Sequence, residues 1–145
     1  MGRLGPRALL TALGAAAALL VPMLGLLRGV PLDERGGAVA TALLPALVVV
    51  AFGGNLLEEV LFRGLVQGHL ERTAGLGPVR TVLGSGLFFA AGHVFLATTV
   101  TGLGRPVLAF TLAEGLLCAW VRLRHGVLAA TVTHATVILV LASGI

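Results

Sequence analysis

The chain has 145 residues, of which 57% are hydrophobic and 11% are charged, and its formal net charge is +4. A soluble domain carries about 25% charged residues, so this composition and the mean hydropathy of +1.04 exclude an ordinary soluble domain and indicate an integral membrane protein. The basic residues are scattered arginines at the ends of apolar segments, a pattern that disfavours nucleic acid as a partner and fits membrane loops better. The lipid bilayer is therefore the predicted surroundings of the chain.

Five apolar segments follow one another, and a membrane span takes about 20 such residues. The segments run from about Pro6 to Leu27, Ala38 to Leu57, Val79 to Val100, Pro106 to Val121 and Val127 to Ile145. The fourth is the shortest, so we expect it to pack among other helices or to span imperfectly. Because backbone groups in lipid must be hydrogen-bonded internally, the predicted fold class is all-α, a multi-span transmembrane helical bundle.

The first segment resembles a signal peptide, since Arg3 and Arg7 precede an apolar run. No small-residue cleavage site follows it clearly, so we expect this segment to remain as a membrane helix. The predicted division is an N-terminal transmembrane helix and loop at 1–40 and a membrane domain at 41–145. Cys118 is the single cysteine, so it cannot form an internal disulfide, and we interpret it as a packing residue.

The placement of arginines predicts an orientation in the membrane. With a cytoplasmic N terminus, six arginines lie inside: Arg3, Arg7, Arg72, Arg80, Arg122 and Arg124. Three lie outside: Arg28, Arg35 and Arg105. This bias agrees with the positive-inside rule, and we expect the plasma membrane as the location.

The stretch "GGNLLEEVLFRG" places three charged residues in an apolar setting. A charge at mid-bilayer costs about 2.5–3.5 kcal/mol on insertion scales, so these groups need partners. Glu59 and Arg63 are four residues apart and can form an ion pair on one helix face. Glu58 lies about 100° away around the helix and lacks that partner, which leaves it available for chemistry. Charges at an interfacial helix end are the structural alternative.

Two histidines lie within other apolar segments. His93 is in the third segment, one helical turn after Phe89, and His134 is in the middle of the fifth. If Glu58, His93 and His134 converge, they could form a general-base site around a water or a zinc site with two histidines and one glutamate. The H-E-x-x-H pattern of zinc proteases is absent. Glu114 in the fourth segment is interpreted as structural, either facing the bundle or paired with an arginine.

Three short motifs resemble those of a known family. "EEVLFR" from Glu58 to Arg63 is similar to the E-E-x-x-x-R motif of the CAAX protease and bacteriocin-processing (CPBP, or Abi) family. "FAAGH" from Phe89 to His93 is similar to its F-x-x-x-H motif, and His134 stands where its third motif, H-x-x-x-[N/D], begins. The resemblance extends from about Thr41 to Ile138, so 41–145 is predicted to be a CAAX-protease-like membrane domain.

The resemblance implies an intramembrane glutamate-type endopeptidase that acts on membrane-anchored peptides or proteins. By position, Glu58 and His93 would activate a water, and His134 would stabilise the oxyanion. Arg63 would hold Glu59 and so orient Glu58, with Phe89 as a structural residue. No cofactor is needed in this mechanism; in a metal-dependent alternative, Glu58, His93 and His134 would bind zinc.

One position departs from the family pattern, because Ile138 stands where the third motif has Asn or Asp. An oxyanion donor contributes about 2.7–4 kcal/mol to the transition state, so this replacement predicts an impaired enzyme unless a neighbour substitutes. Asn55 and Thr131 are the candidates for oxyanion support. A non-catalytic scaffold or bacteriocin-immunity protein is the second hypothesis, and a small proton-coupled or ion-conducting protein is the third.

Overall fold

A computed structural model describes residues 1–33, 37–100 and 104–144. Arg35, the connector residues 101–103 and Ile145 lie outside the described residues. The described part of the chain is helical and has no strands, which confirms the predicted all-α fold class.

Six α-helices and two π-helical segments form the bundle in these described ranges. The α-helices are α1 (Pro6–Leu27), α2 (Leu44–Glu59), α3 (Gln67–Arg72), α4 (Pro78–Gly92), α5 (Arg105–His125) and α6 (Val127–Ser143). A 3₁₀ turn, Thr41–Leu43, precedes α2, and the π-helical segments are Val60–Val66 and Leu96–Val100. The first π segment joins α2 to α3, so the chain is continuously helical over Thr41–Arg72.

Among the residues that the structure describes, four helical stretches are long and apolar enough to cross a membrane: Pro6–Leu27, Thr41–Arg72, Pro78–Thr99 and Arg105–His125. The helix Val127–Ser143 is apolar but shorter. Large apolar side chains such as Leu10, Val49 and Leu57 are exposed on the outside of the bundle, where lipid would cover them. The chain is therefore an integral membrane protein.

Two of the predicted segment lengths were wrong. The fourth segment is a 21-residue helix, because Arg122, Arg124 and His125 extend it with favourable charges at the helix C-terminus. Among the five continuous apolar helical stretches in the described residues, the shortest is instead the last one, Val127–Ser143, with 17 residues. The second segment also continues well beyond Leu57, since the polar side chains that follow have partners on neighbouring helices.

One end of the bundle contains the chain start, the α3–α4 connection and the α5–α6 turn. The amide of Leu128 donates to the Met1 carbonyl at 3.1 Å, and Arg122 pairs with Glu71. Gly126, between α5 and α6, has a φ of 91°, a conformation that favours glycine. A Cβ there would lie 2.6 Å from the Met1 carbonyl oxygen, so this close approach also requires glycine. We call this the Met1 end.

The opposite end contains the α1–α2 connection and the end of α6, where the amide of Val39 donates to the Ser143 carbonyl at 3.0 Å. We call it the Ser143 end. Successive spans therefore alternate in direction, which places six arginines at the Met1 end: Arg3, Arg7, Arg72, Arg80, Arg122 and Arg124. Arg28 and Arg105 are at the Ser143 end. The described arginines are thus grouped at the two ends as the sequence analysis grouped them.

Small residues allow the helices to approach closely, as is common in membranes. Alanines of α1 pack against Val121 of α5 and Ala129 of α6. Helices α4 and α5 meet at Gly86 and Gly115, where a Cβ on Gly115 would lie 3.1 Å from the Gly86 carbonyl oxygen. This approach brings the backbone of α5 within reach of the polar side chains of the second span.

Candidate functional site

Glu58 and His93 form what we call the outer pair. Glu58 is near the end of α2, and His93 immediately follows α4. Glu58 Oε2 lies 3.6 Å from His93 Nε2, and the two side chains are 42% and 18% exposed. The Glu58 side chain is therefore partly exposed although its Oε2 is buried, and the separation is slightly longer than a direct hydrogen bond.

The end of α4 fixes the orientation of His93. Its ring lies back over the last helical turn, and Nδ1 is 2.8 Å from the Phe89 carbonyl oxygen. Because a carbonyl can only accept a hydrogen bond, Nδ1 carries the proton in this contact. In the neutral ring, Nε2 is then the unprotonated nitrogen, and it faces Glu58.

Behind the outer pair lies what we call the inner network: Glu59, Arg63, Glu114 and His134. All four side chains are buried. Glu59 Oε1 lies 3.0 Å from His134 Nδ1, and Glu59 Oε2 lies 3.2 Å from Arg63 Nε. The Glu59–Arg63 contact has ion-pair distance without the alignment of a hydrogen bond, because neither atom has a hydrogen-bond partner within the described part of the chain.

Helix α5 completes the inner network. Arg63 Nη2 donates to the Gly115 carbonyl at 3.1 Å, and Glu114 Oε2 lies 3.8 Å from His134 Nε2. Glutamate and arginine are rarely buried unless they are paired, and here each has at least one oppositely charged or polar partner. The inner network thus joins the second span to α5 and α6.

A four-residue row along the second span continues this connection toward the Met1 end. Glu59, Arg63, Gln67 and Glu71 each face another helix, and Gln67 Nε2 donates to the Ala119 carbonyl at 3.0 Å. An α-helical turn takes 3.6 residues, so side chains four residues apart rotate slightly around the axis of α2 and α3. A π-helical turn takes more residues, so across Val60–Val66 the same spacing rotates the side chains in the opposite direction. The π segment thereby keeps the row facing α5.

The Phe89 ring lies between the outer pair and the inner network. It is fully buried, and its centroid is 4.3 Å from the His93 ring and 5.4 Å from the His134 ring. The Arg63 guanidinium carbon lies 4.2 Å from the same centroid, within the range of a cation–π interaction. Phe62 packs edge-on against Phe89 with centroids 5.0 Å apart.

The structure thus places the three candidate catalytic residues in one region, but the three side chains do not all contact one another. Glu58 contacts His93, whereas His134 contacts Glu59 and Glu114. Phe89 touches both histidines. The three side chains are therefore neighbours around one aromatic ring rather than three groups around one point.

Both candidates for oxyanion support bond within their own helices. Asn55 Nδ2 donates to the Ala51 carbonyl at 2.7 Å, and the Thr131 hydroxyl donates to the Val127 carbonyl at 3.0 Å. The single hydroxyl hydrogen of Thr131 is therefore already used. Ile138 is partly buried on α6, one turn beyond His134.

The sequence did not predict the partner of Glu114. The prediction was a structural glutamate that faces the bundle or pairs with an arginine; Glu114 does face the bundle, and its closest ionisable contact is His134. The signal in the sequence was a single carboxylate inside an apolar segment, which requires a buried partner. Its identity depends on how α5 and α6 pack, and no local spacing encodes that.

The predicted zinc ligands are only partly gathered. Within the described ranges, no group of three or more His, Cys, Asp or Glu side chains is placed to hold a metal ion. Glu58 and His93 are adjacent, but the two ring nitrogens of His134 face Glu59 and Glu114. As it stands, this geometry does not fit a three-ligand zinc site.

A family model described as type II CAAX prenyl endopeptidase Rce1-like matches residues 40–140. The matched range includes both the outer pair and the inner network. No curated protein and no solved structure matched significantly.

Proposed function

The chain belongs to the type II CAAX prenyl endopeptidase Rce1-like family, and we propose that it hydrolyses peptide bonds of membrane-anchored peptides or proteins through a water activated by the outer pair. The observation that carries this proposal is the separation of 3.6 Å between Glu58 Oε2 and His93 Nε2. A water placed beside these two atoms can hydrogen-bond to both, and the Glu58 side chain is partly exposed.

The proposed reaction begins with a water hydrogen-bonded to Glu58 and to His93 Nε2. The water loses a proton to this pair as its oxygen bonds to the scissile carbonyl carbon, and the carbonyl oxygen becomes an oxyanion. The same pair then delivers the proton to the amide nitrogen as the carbon–nitrogen bond breaks. The products are a carboxylic acid and an amine, so the reaction consumes one water and balances.

His134 is the second element of the proposal, as support for the oxyanion. Glu59 Oε1 is at hydrogen-bond distance from Nδ1, whereas Nε2 is 3.8 Å from its nearest carboxylate. Nε2 is therefore the more loosely held nitrogen, and in the doubly protonated ring it can donate to a developing oxyanion. Reaching a substrate carbonyl requires a small movement around Phe89, and apo contacts of this kind commonly tighten when substrate binds.

A reconstituted sample tests the assignment directly. Wild-type protein in liposomes should cleave a membrane-anchored reporter peptide at a defined bond, as read by mass spectrometry, and Glu58→Gln should abolish cleavage. The matched control is Glu71→Gln, which changes a glutamate on the same continuous helix but outside both groups of residues. Cleavage by Glu58→Gln at the wild-type rate would overturn the assignment.

Ile138 motivates two further parts of the proposal. Without a polar side chain at this position, turnover is slow, and Ile138→Asn should raise kcat. If the wild-type protein and Ile138→Asn both fail to cleave any reporter, the alternative of a non-catalytic scaffold or bacteriocin-immunity protein takes precedence.

Zinc is the alternative cofactor, and it would require His134 to turn toward Glu58 and His93. Zinc that copurifies with the protein in a one-to-one ratio, together with loss of cleavage in a chelator, would favour the metal-dependent version. Full activity of zinc-depleted protein would favour the metal-free version.

The proposed orientation has the N terminus in the cytoplasm of a cell whose plasma membrane holds the protein. The supporting observation is that the described arginines cluster at the Met1 end. Single cysteines placed next to Arg72 and next to Arg28 in a Cys118→Ala background should react with an impermeant thiol reagent from opposite sides of the membrane.

A further inference from the structure

Glu114 is a buried carboxylate that the proposed mechanism does not use. Its side chain lies in α5, almost fully buried, with Oε2 3.8 Å from His134 Nε2. Its other oxygen, Oε1, has no hydrogen-bond partner among the residues that the structure describes. A buried carboxylate in this state is costly, so its presence in an apolar helix requires an explanation.

The register of two antiparallel helices directs Glu114 to His134. One turn further along α5, the Cys118 thiol lies 3.9 Å from the carbonyl oxygen of Ala130, which is one turn earlier on α6. Residues one turn apart lie on the same helix face, so the Cys118–Ala130 contact and the Glu114–His134 contact belong to one continuous interface. The position of Glu114 is therefore set by helix packing as well as by its side-chain rotamer.

The charged groups around Glu114 leave His134 as its direct partner. Arg63 is the nearby permanent cation, but it already contacts Glu59 and the Gly115 carbonyl. Glu59 carries the same sign as an ionised Glu114 and binds the opposite nitrogen of His134. The imidazole consequently has one carboxylate at each ring nitrogen.

We infer that Glu114 is a positioning residue that holds the Nε2 side of His134, while Glu59 holds the Nδ1 side. This inference rests on the proposed function, in which His134 donates to the oxyanion. At 3.8 Å the Glu114 carboxylate attracts the ring without taking its N–H in a short hydrogen bond, so that N–H stays available to the substrate. A carboxylate at each nitrogen fixes the plane of the ring, and only the doubly protonated ring has an N–H at both nitrogens, one for Glu59 and one for the oxyanion.

The first experiment needs no substrate. Protein labelled with ¹⁵N-histidine is studied in micelles, and the His134 ring resonances are identified by their loss in His134→Gln. Glu114→Gln should shift the Nε2 resonance of His134 and leave those of His69 and His125 unchanged. The matched control is Cys118→Ala, one turn along the same face of α5, which should leave the His134 resonances in place.

The second experiment measures cleavage of the reporter peptide. Glu114→Gln should lower kcat by roughly 10- to 100-fold, as is typical when a partner that orients a functional histidine is lost, and should leave KM unchanged. If Glu114→Gln does not fold, Glu114→Asp is the alternative, because its shorter side chain places the carboxylate farther from His134. This variant should give a smaller shift of the Nε2 resonance and a smaller loss of kcat.

Each outcome is decisive. If the Nε2 resonance of His134 does not move in Glu114→Gln, then Glu114 does not hold His134. If the resonance moves but kcat stays at the wild-type value, then the contact between Glu114 and His134 has no role in the reaction. Either result overturns the inference. If the wild-type protein cleaves nothing, the proposed function fails, while the resonance still reports whether Glu114 holds the ring.

Discussion

The outer pair and the inner network begin at adjacent residues of one helix, yet their surroundings are opposite. The Glu58 side chain is partly exposed, and its one buried oxygen, Oε2, has no hydrogen-bond partner within the described ranges. Glu59, the next residue, is fully buried and contacts both Arg63 and His134. The rotation of about 100° per residue in a helix is enough to direct one carboxylate outward and the other into the bundle.

This difference separates reacting from supporting side chains. A group that receives a proton from water must be reachable by water, and partners that fully satisfied it would make it less reactive. A group that holds several helices together needs the reverse, because a buried charge without its partner is strongly destabilising. Changes in the outer pair should therefore affect the rate, whereas changes in the inner network should affect stability as well.

Among the variants that compare the two regions, the largest effect is expected for His93→Gln in the outer pair. Glutamine keeps polar atoms near Glu58 but cannot relay a proton at neutral pH, so kcat should fall by about 10²- to 10⁴-fold, the usual contribution of a general acid–base group. Cleavage of the reporter peptide measures the rate, and unfolding in mixed micelles measures stability. A variant that loses stability as severely as it loses activity would remove the distinction between the two regions.

The next effect concerns the inner network. Arg63→Met removes the cation beside Glu59 and the donor to the Gly115 carbonyl. Loss of one partner of a buried pair costs about 3–5 kcal/mol, so the free energy of unfolding in mixed micelles should fall by that amount. The control is the double variant Arg63→Met with Glu59→Leu, which removes both charges and should recover part of the loss. Wild-type stability of Arg63→Met would mean that the network does not hold the bundle.

The two regions also differ in how far the sequence predicts them. The four-residue spacing of Glu59 and Arg63 is local, so their ion pair could be predicted and is present. The contacts of Glu59 and Glu114 with His134 join three helices, and their formation depends on packing at small residues such as Gly115. Several pairings of the same polar residues are compatible with the apolar pattern, so the sequence alone does not select one.

Helix boundaries show the same limit. The apolar pattern predicted α1 with its observed ends, because both the start and the end of hydrophobicity coincide with the helix. The same pattern predicted an end of α5 that is too early, since hydropathy falls at Arg122 although the backbone stays helical to His125. The π segment Val60–Val66 has no counterpart in that pattern, because its residue types fit an ordinary helix equally well.

Phe89 offers a way to test whether the two regions act together. Phe89→Leu keeps an apolar side chain but removes the ring that touches His93 and His134 and lies over the Arg63 guanidinium. Loss of the cation–π interaction alone should cost about 0.5–2 kcal/mol, and kcat should fall at the same time. Phe88→Leu, an exposed neighbour on the same helix, should change neither quantity. A change in stability without a change in kcat would indicate that the regions are independent.

The smallest effect is expected at the Met1 end, where the row that begins at Glu59 reaches Glu71. Glu71 pairs with Arg122, so the charges and the helix face are similar to those of Glu59 and Arg63. The difference is burial, because both side chains of this pair are partly exposed and water can replace a lost partner. Surface ion pairs contribute about 0–1 kcal/mol, so Glu71→Gln should lower the free energy of unfolding by no more than that. The pair should also weaken further in high salt.

Glu71→Gln and Arg63→Met can be compared under the same unfolding conditions. If the two variants lose the same free energy of unfolding, then burial does not explain why the inner network is important. The contrast with the outer pair would then need a different physical basis.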